Sequence, residues 1–370
     1  MQADRFDVRA FGAQGDFVSD DTAALQAAID AAREGTQRPG GRRVVYLPGG
    51  DYLTGPLSLG AGVTLAGDGT GVTRLFSRDA GQTTLLLEGI VENVPSVHVR
   101  GLALFANGQG GTGLSLNGAD AARRVIDVRV EDCQFSLFER AVHLRLCSNV
   151  WLEQVHAAAC VTGIAVDTSC DVKMNHCFCD NGAGWGFDIA DDGAHGASGE
   201  GVYLTGCTTN AQAGGLRVRN QSWGQALGCS FTSCAGIAVL LDGAGNWRVG
   251  QGEVATAAEG AAGIVLSPES RKCLVEGNYV SLCEGALVVA GTDHVVAGNL
   301  LDAGLGAAPD IELLGLACKV SGNKCLSTAN PDAIVERGEA NFNFITGNMV
   351  QGRITRAGAG SMVAPDQFYY

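Results

Sequence analysis

Six ionisable side chains, His143, Arg145, Asp167, Asp188, Arg217 and Arg219, fall in short segments that read AVHLR, GIAVD, GFDIA and GLRVR. Strand alternation sends Val142/Leu144, Ile164/Val166, Phe187/Ile189 and Leu216/Val218 to one side and these ionisable groups to the other. Two carboxylates on neighbouring strands suit glycosidic cleavage, in which one protonates the leaving oxygen while the other activates water or attacks. Guanidinium groups suit carboxylated or otherwise anionic sugars, which they bind through paired hydrogen bonds. Asp167 and Asp188 are therefore candidate catalytic groups, and His143, Arg145, Arg217 and Arg219 candidate substrate ligands. The bland alternative is a solvated ion-pair ladder, since outward charges on strands are commonplace.

The segment GWGFDIADDGAHGASGEG concentrates further chemistry, with Trp185, Asp188, Asp191, Asp192 and His195 inside 11 residues. Asp191, Asp192 and His195 are added to the catalytic candidates, and Trp185 offers an aromatic face for a sugar ring. Long insertions at one turn tend to be functional loops. An Asp/Gly-rich loop can also simply turn, or bind Ca²⁺ through oxygen ligands. No other cofactor is indicated. Cys170, His176, Cys177 and Cys179 lack the second ligand pair that a zinc site needs.

The elements that must position these groups come from a repeat. Cys133, Val155, Cys177, Cys207, Cys229, Gly252, Asn278, Asn299, Asn323 and Asn348 each follow an apolar residue three places earlier, at spacings of 21 to 30 residues. Short strands at that period with Gly-rich corners predict a β-solenoid, one coil per repeat. The expected fold is all-β: a single-stranded parallel β-helix of about ten coils with an N-terminal helical cap. The cap is placed at residues 1–60 and the helix proper at 61–370, as one continuous domain. In the cap, SDDTAALQAAIDAA is a helix that Ser19, Asp20 or Asp21 can start, with Leu25, Ala28 and Ile29 as its apolar stripe. One outward column of the coils reads Ser115, His143, Ala165, Asp188, Arg217, Ala238, Val265, Leu287. Two residues along, the next reads Asn117, Arg145, Asp167, Ala190, Arg219, Leu240, Ser267, Val289. The Asn run predicts side-chain amides bonded from coil to coil, and the shared position of Cys133, Cys177, Cys207 and Cys229 predicts buried, reduced thiols.

A net charge of −14 argues against nucleic acid, whose phosphates reward a basic surface. No apolar run reaches the roughly 18–20 residues that span a bilayer, so no membrane insertion is expected. The opening MQADRFDVRAFGAQGD has no signal-peptide pattern, which predicts synthesis in the cytoplasm without export by that route.

The segment FDVRAFGAQGDFVSDDTAALQAAIDAA followed by VVYLPGGDYL resembles the opening of the pectate-lyase-like superfamily of right-handed parallel β-helices. Polygalacturonases, mannuronan C5-epimerase catalytic modules and bacteriophage tailspike depolymerases share that opening. Asp191-Asp192 with His195-Gly196 is similar to the polygalacturonase carboxylate pair and its His-Gly element, compressed here into one loop. Gly186-Phe187-Asp188 after Trp185 resembles the aromatic-Gly-Phe-Asp of the mannuronan epimerases, but Ala190 stands where that pattern continues with His. The resemblance implies a polysaccharide substrate, bound in a groove along one face. The first reading it supports is a tailspike-like depolymerase, a homotrimer at the virion or bacterial surface, with the apolar outward residues Val265, Leu287 and Val289 at the subunit contact. The alternatives are a mannuronan C5-epimerase or uronan lyase, and a non-catalytic glycan-binding fibre or adhesin.

Overall fold

The computed structural model describes residues 4–34, 43–88, 94–108, 110–193, 198–256, 260–304, 306–327, 330–365 and 367–369. The chain folds as a parallel β-helix with one N-terminal helix, and divides into two compact units. The first comprises Met1–Gly184 with Asp191–Glu200, the second Trp185–Ala190 with Gly201–Tyr370.

In the first unit, long bent strands Val94–Phe105, Val125–Ser136 and Cys147–Ala158 pair in parallel and in strict register, Val99 with Val130 and Val130 with Leu152. A second parallel stack contains Thr112–Asn117, Arg140–Arg145 and Thr162–Asp167. Its alternate residues Leu114, Leu116, Val142, Leu144, Ile164 and Val166 are buried, as period-two patterning requires. The helix Thr22–Glu34 buries Leu25, Ala28, Ile29 and Ala32. Of the three residues able to start it, Asp20 accepts the Thr22 N–H (3.0 Å). Asp21 instead accepts the amides of Gln14 (2.7 Å) and Gly15 (3.0 Å), tying down the loop before the helix.

In the second unit, the Asn residues form a continuous ladder. Asn278 Nδ2 donates to Asn299 Oδ1 (3.0 Å), Asn299 to Asn323 (2.9 Å), Asn323 to Asn348 (3.0 Å) and Asn348 to Gln367 Oε1 (3.2 Å). The second amide hydrogen of each Asn goes to a carbonyl, of Val249, Val275, Val296 and Val320. These buried carboxamides are satisfied by their own stack, which is why Asn is tolerated inside. The residue before each closing position is left-handed in both units, from Asp132 (φ 49°) and His176 (φ 51°) to Gly277 (φ 63°) and Gly347 (φ 60°). Glycine recurs there because it adopts that conformation without a Cβ penalty.

The later coils depart from the expected columns. Arg217 lies opposite Leu240, Leu240 opposite Val265 and Val265 opposite Val288. Gly215 and Leu216 both donate backbone N–H groups to the Ala238 carbonyl, so the chain bends at Ala238 and its strand begins at Val239. Arg219 therefore faces Asp242, not Leu240. In the strand Gly285–Val289 the first Gly lies opposite Ala262 rather than Gly263, and a one-residue slip inverts every side chain. Leu287 and Val289 are accordingly fully buried, and do not form the exposed apolar face expected for a subunit contact.

Candidate functional site

Strand register in the first unit builds one polar cluster. Ser115, His143 and Ala165 form one column, and Asn117, Arg145 and Asp167 the next. Asp167 reaches diagonally back so that its Oδ2 lies 2.8 Å from His143 Nε2. Its neighbours in that column, Ser115 and Ala165, are short side chains and both are buried. The His143 side chain is 13% exposed and that of Asp167 31%, so the pair is sheltered yet reachable. In the tautomer that donates Nε2–H to the carboxylate, Nδ1 carries the lone pair. An imidazole so placed can serve as a general base whose orientation and tautomer its acid partner fixes.

Arg145, two residues beyond His143 on the same face of its strand, lies 3.7 Å from Asp192. Thr168 binds the acidic loop from below, its hydroxyl 2.7 Å from Asp192 Oδ1 and 3.3 Å from Asp191 Oδ1. Asp191 also accepts the amides of Gly193 and Gly199, both at 2.9 Å, so that carboxylate closes the loop on itself. His195 lies outside the described residues. Thr168, absent from the sequence-based candidates, is fully buried and left-handed (φ 44°) just after a strand end. Its only sequence signal is its place next to Asp167.

The second unit holds its own cluster. Asp188 and Arg217 are register partners, and Arg217 binds Asp188 side-on with Nε–Oδ1 at 2.9 Å and Nη2–Oδ2 at 2.7 Å. Arg219 adds contacts of 3.3 and 3.2 Å to the same two oxygens. The Asp188 side chain is only 12% exposed, and both of its oxygens are committed to guanidinium donors. The Arg217 guanidinium stands 5.3 Å from the Trp185 ring centroid, a cation–π contact that fixes the indole. Gly214 faces Trp185 across the register, and a Cβ there would come within 2.5 Å of the ring, so only glycine leaves the indole its place. Two arginines and one carboxylate leave this cluster with one net positive charge. Ala190, at the end of the same strand, is buried.

Among the described residues no group of three His, Cys, Asp or Glu side chains could hold a metal ion. Nor, among the described residues, is any helix long and apolar enough to cross a membrane.

The opening segment, the coils and both clusters fall largely inside the stretch, residues 5–261, that matches the model of rhamnogalacturonase A/epimerase, pectate lyase-like proteins. The chain belongs to that family. Mannuronan C5-epimerase AlgE1 of Azotobacter vinelandii is 47% identical over 76 residues, a match covering 18% of this chain and 5% of that protein. The chain thus spans a small part of the length of the curated relative it matches. Among solved structures, the A-module of mannuronan C-5 epimerase AlgE6 from A. vinelandii superposes with a TM-score of 0.68 at 21% identity, over 99% of both chains. A mutant tailspike protein of E. coli bacteriophage HK620 superposes with a TM-score of 0.60 at 12% identity, over 99% of this chain and 80% of that one. At these identities, membership of this β-helix family is a statement of common fold.

Proposed function

We propose that this chain acts on a uronate polysaccharide, by abstracting the proton alpha to a sugar carboxylate. The observation that carries this reading is His143, held by Asp167 at 2.8 Å, with Arg145 two residues away on the same strand face. His143 Nδ1 takes the alpha proton, and the bonding pair moves into the carboxylate. Arg145 faces that carboxylate and stabilises the charge that builds on its oxygens. The intermediate collapses in one of two ways. Reprotonation by water on the opposite face inverts the carbon, His143 returning its proton to solvent, and expulsion of the oxygen on the neighbouring carbon, protonated by His143, cleaves the chain and leaves an unsaturated end. Asp167 stays the orienting partner of the imidazole throughout.

The likeness to mannuronan epimerases over 76 residues supports this substrate class. Hydrolysis by paired carboxylates is favoured less, because Asp167 is committed to His143 and Asp188 to Arg217 and Arg219. In this reading Asp188 positions its two arginines, which bind carboxylates of the polymer in the second unit with Trp185 as a stacking surface. Buried Ala190 replaces the His of the epimerase-like pattern, so the base has to come from elsewhere, and His143 is the group with the geometry for it. The same substitution favours a second reading, a glycan-binding module without turnover.

The test incubates the protein with polymannuronate and with other uronans. Altered sugar composition by proton NMR reports epimerisation, and ultraviolet absorbance of unsaturated ends reports elimination. New reducing ends without unsaturation would mean hydrolysis and overturn the proposal. Binding without any product would establish the second reading.

A further inference from the structure

The first unit carries a groove of about 690 Å³ on the other sheet, built from residues that the proposed chemistry does not use. Its origin is a column of unequal side chains. Tyr46, Ala66, Arg100 and Glu131 stand opposite one another on successive coils, so small Ala66 leaves a notch between a long aromatic and a long basic side chain. Coils about 4.8 Å apart put Tyr46 and Arg100 roughly 10 Å from each other, the span of one or two sugar rings. Glycines keep the floor open. A Cβ on Gly67 would meet the Gly101 carbonyl at 2.3 Å, and Gly101 itself is left-handed (φ 65°).

The charges in the groove are unequally engaged. Asp68 already accepts the Tyr46 hydroxyl (2.7 Å) and the Gly49 amide (2.9 Å), and Glu131 is bonded to His98 (3.1 Å). Arg5 lies flat over the Tyr46 ring, 3.3 Å from its centroid, which pre-orients the guanidinium. Among the described residues neither Arg5 nor Arg100 forms a salt bridge with a carboxylate. Two exposed guanidinium groups therefore face a notch lined also by Asp68 and Glu131, which have other partners, and by the exposed Asp132. That is the arrangement a carboxylate-bearing ligand would complete.

We infer that this groove is a second, non-catalytic binding site for an acidic sugar unit, read by Arg5 and Arg100 and seated over Ala66. The identity of the sugar as a uronate rests on the function proposed above; the anion-binding geometry does not. Such a site lets the protein hold a long polymer by a region remote in sequence from His143.

The test titrates a mannuronate oligosaccharide into the wild type, Arg100→Ala and Arg5→Ala by calorimetry, with turnover of saturating polymer measured on the same samples. Loss of a charge-assisted contact should weaken binding by roughly tenfold to a hundredfold in each variant, while turnover at saturation is unchanged. On the wild type alone, the oligosaccharide should protect the peptides containing Arg5 and Arg100 from phenylglyoxal. Unchanged isotherms in both variants, with no protection, would overturn the inference even if the enzyme turns over. Equal affinity for a sulfated glucan would also overturn it, since any polyanion would then do. Protection of Arg5 and Arg100 without turnover would instead retain the groove and remove the catalytic reading.

Discussion

In the proposed reaction the His143 imidazole does the chemistry and the Asp167 carboxylate holds its tautomer, so substitution of either should lower turnover. His143→Ala removes the base and should lower kcat on the uronan by at least about 10²-fold, with KM little changed. Asp167→Asn leaves a side chain of the same shape that can donate or accept, so the preferred tautomer is lost; a comparable fall in kcat is expected. Steady-state rates of product formation check both, and full activity in both variants would move the site elsewhere. Arg217→Ala should act differently, raising KM without a matching fall in kcat, because that side chain contacts Asp188 and Trp185 and is proposed to bind polymer. A second residue carries a pH dependence. Asp310 is 1% exposed, and burial raises its pKa from 3.8 to about 6 despite amide donors from Ser327 and Ala303. The folded state thus holds this proton more tightly than the unfolded chain. The penalty is absent below pH 4, grows as pH rises, and is complete above about pH 6, where it reaches roughly 3 kcal/mol. Asp310→Asn should therefore gain stability over the wild type at pH 7 but not at pH 4, as read from urea midpoints at the two pH values.

At the scale of the element, the Asn ladder makes neighbouring coils depend on one another. Asn323 accepts from both the backbone and the side chain of Asn299, and donates to Val296 and Asn348. Asn323→Ala orphans several buried groups at once, each worth about 1–3 kcal/mol, so a loss of at least about 3 kcal/mol is expected in chemical denaturation. Asn299→Ala should cost less in the Asn323→Ala background than alone, because the two share partners. This ladder was legible in the sequence for a physical reason: a buried carboxamide is stable only beside another, so Asn recurs at one spacing. The left-handed corner explains the Gly before it, as in Gly277-Asn278 and Gly347-Asn348. The His143–Asp167 pair was legible as two outward positions on strands whose inward positions are apolar. Other features were not. Gly236-Ile237 looks like the start of a coil, yet the bend is fixed by the Ala238 carbonyl, which no local pattern announces. The loop-closing role of Asp191 depends on amides two and eight residues away meeting one carboxylate. The groove between Tyr46 and Arg100 appears only once three coils are laid in register.

Across the whole molecule, the thiols report whether the coils are closed. All thirteen cysteines are free, twelve are buried, and Cys170 alone is partly exposed, with its Sγ 3.2 Å from the Ser198 carbonyl. Where the closing position is Cys, the thiol donates to a nearby carbonyl, as Cys133 does to Glu131 (3.3 Å) and Cys229 to Leu227 (3.5 Å). Burial pushes Cys133 and Cys147 up to about 12 and Cys160, Cys234, Cys273 and Cys318 up to about 11. Since the thiolate is the reactive form, both burial and the raised pKa slow modification. Labelling of the native protein near pH 8 should therefore give one fast site, Cys170, identified by peptide mass spectrometry. The remaining thiols should react only as denaturant opens the coils. Because Cys133, Cys147, Cys160, Cys177 and Cys179 belong to the first unit and the seven from Cys207 to Cys325 to the second, the order of labelling also tells which unit opens first. Reductant should leave the denaturation midpoint unchanged, as no disulfide contributes to it. Rapid native labelling of Cys133, Cys177, Cys207 and Cys229 together would contradict the register itself, and with it the placement of His143 beside Asp167.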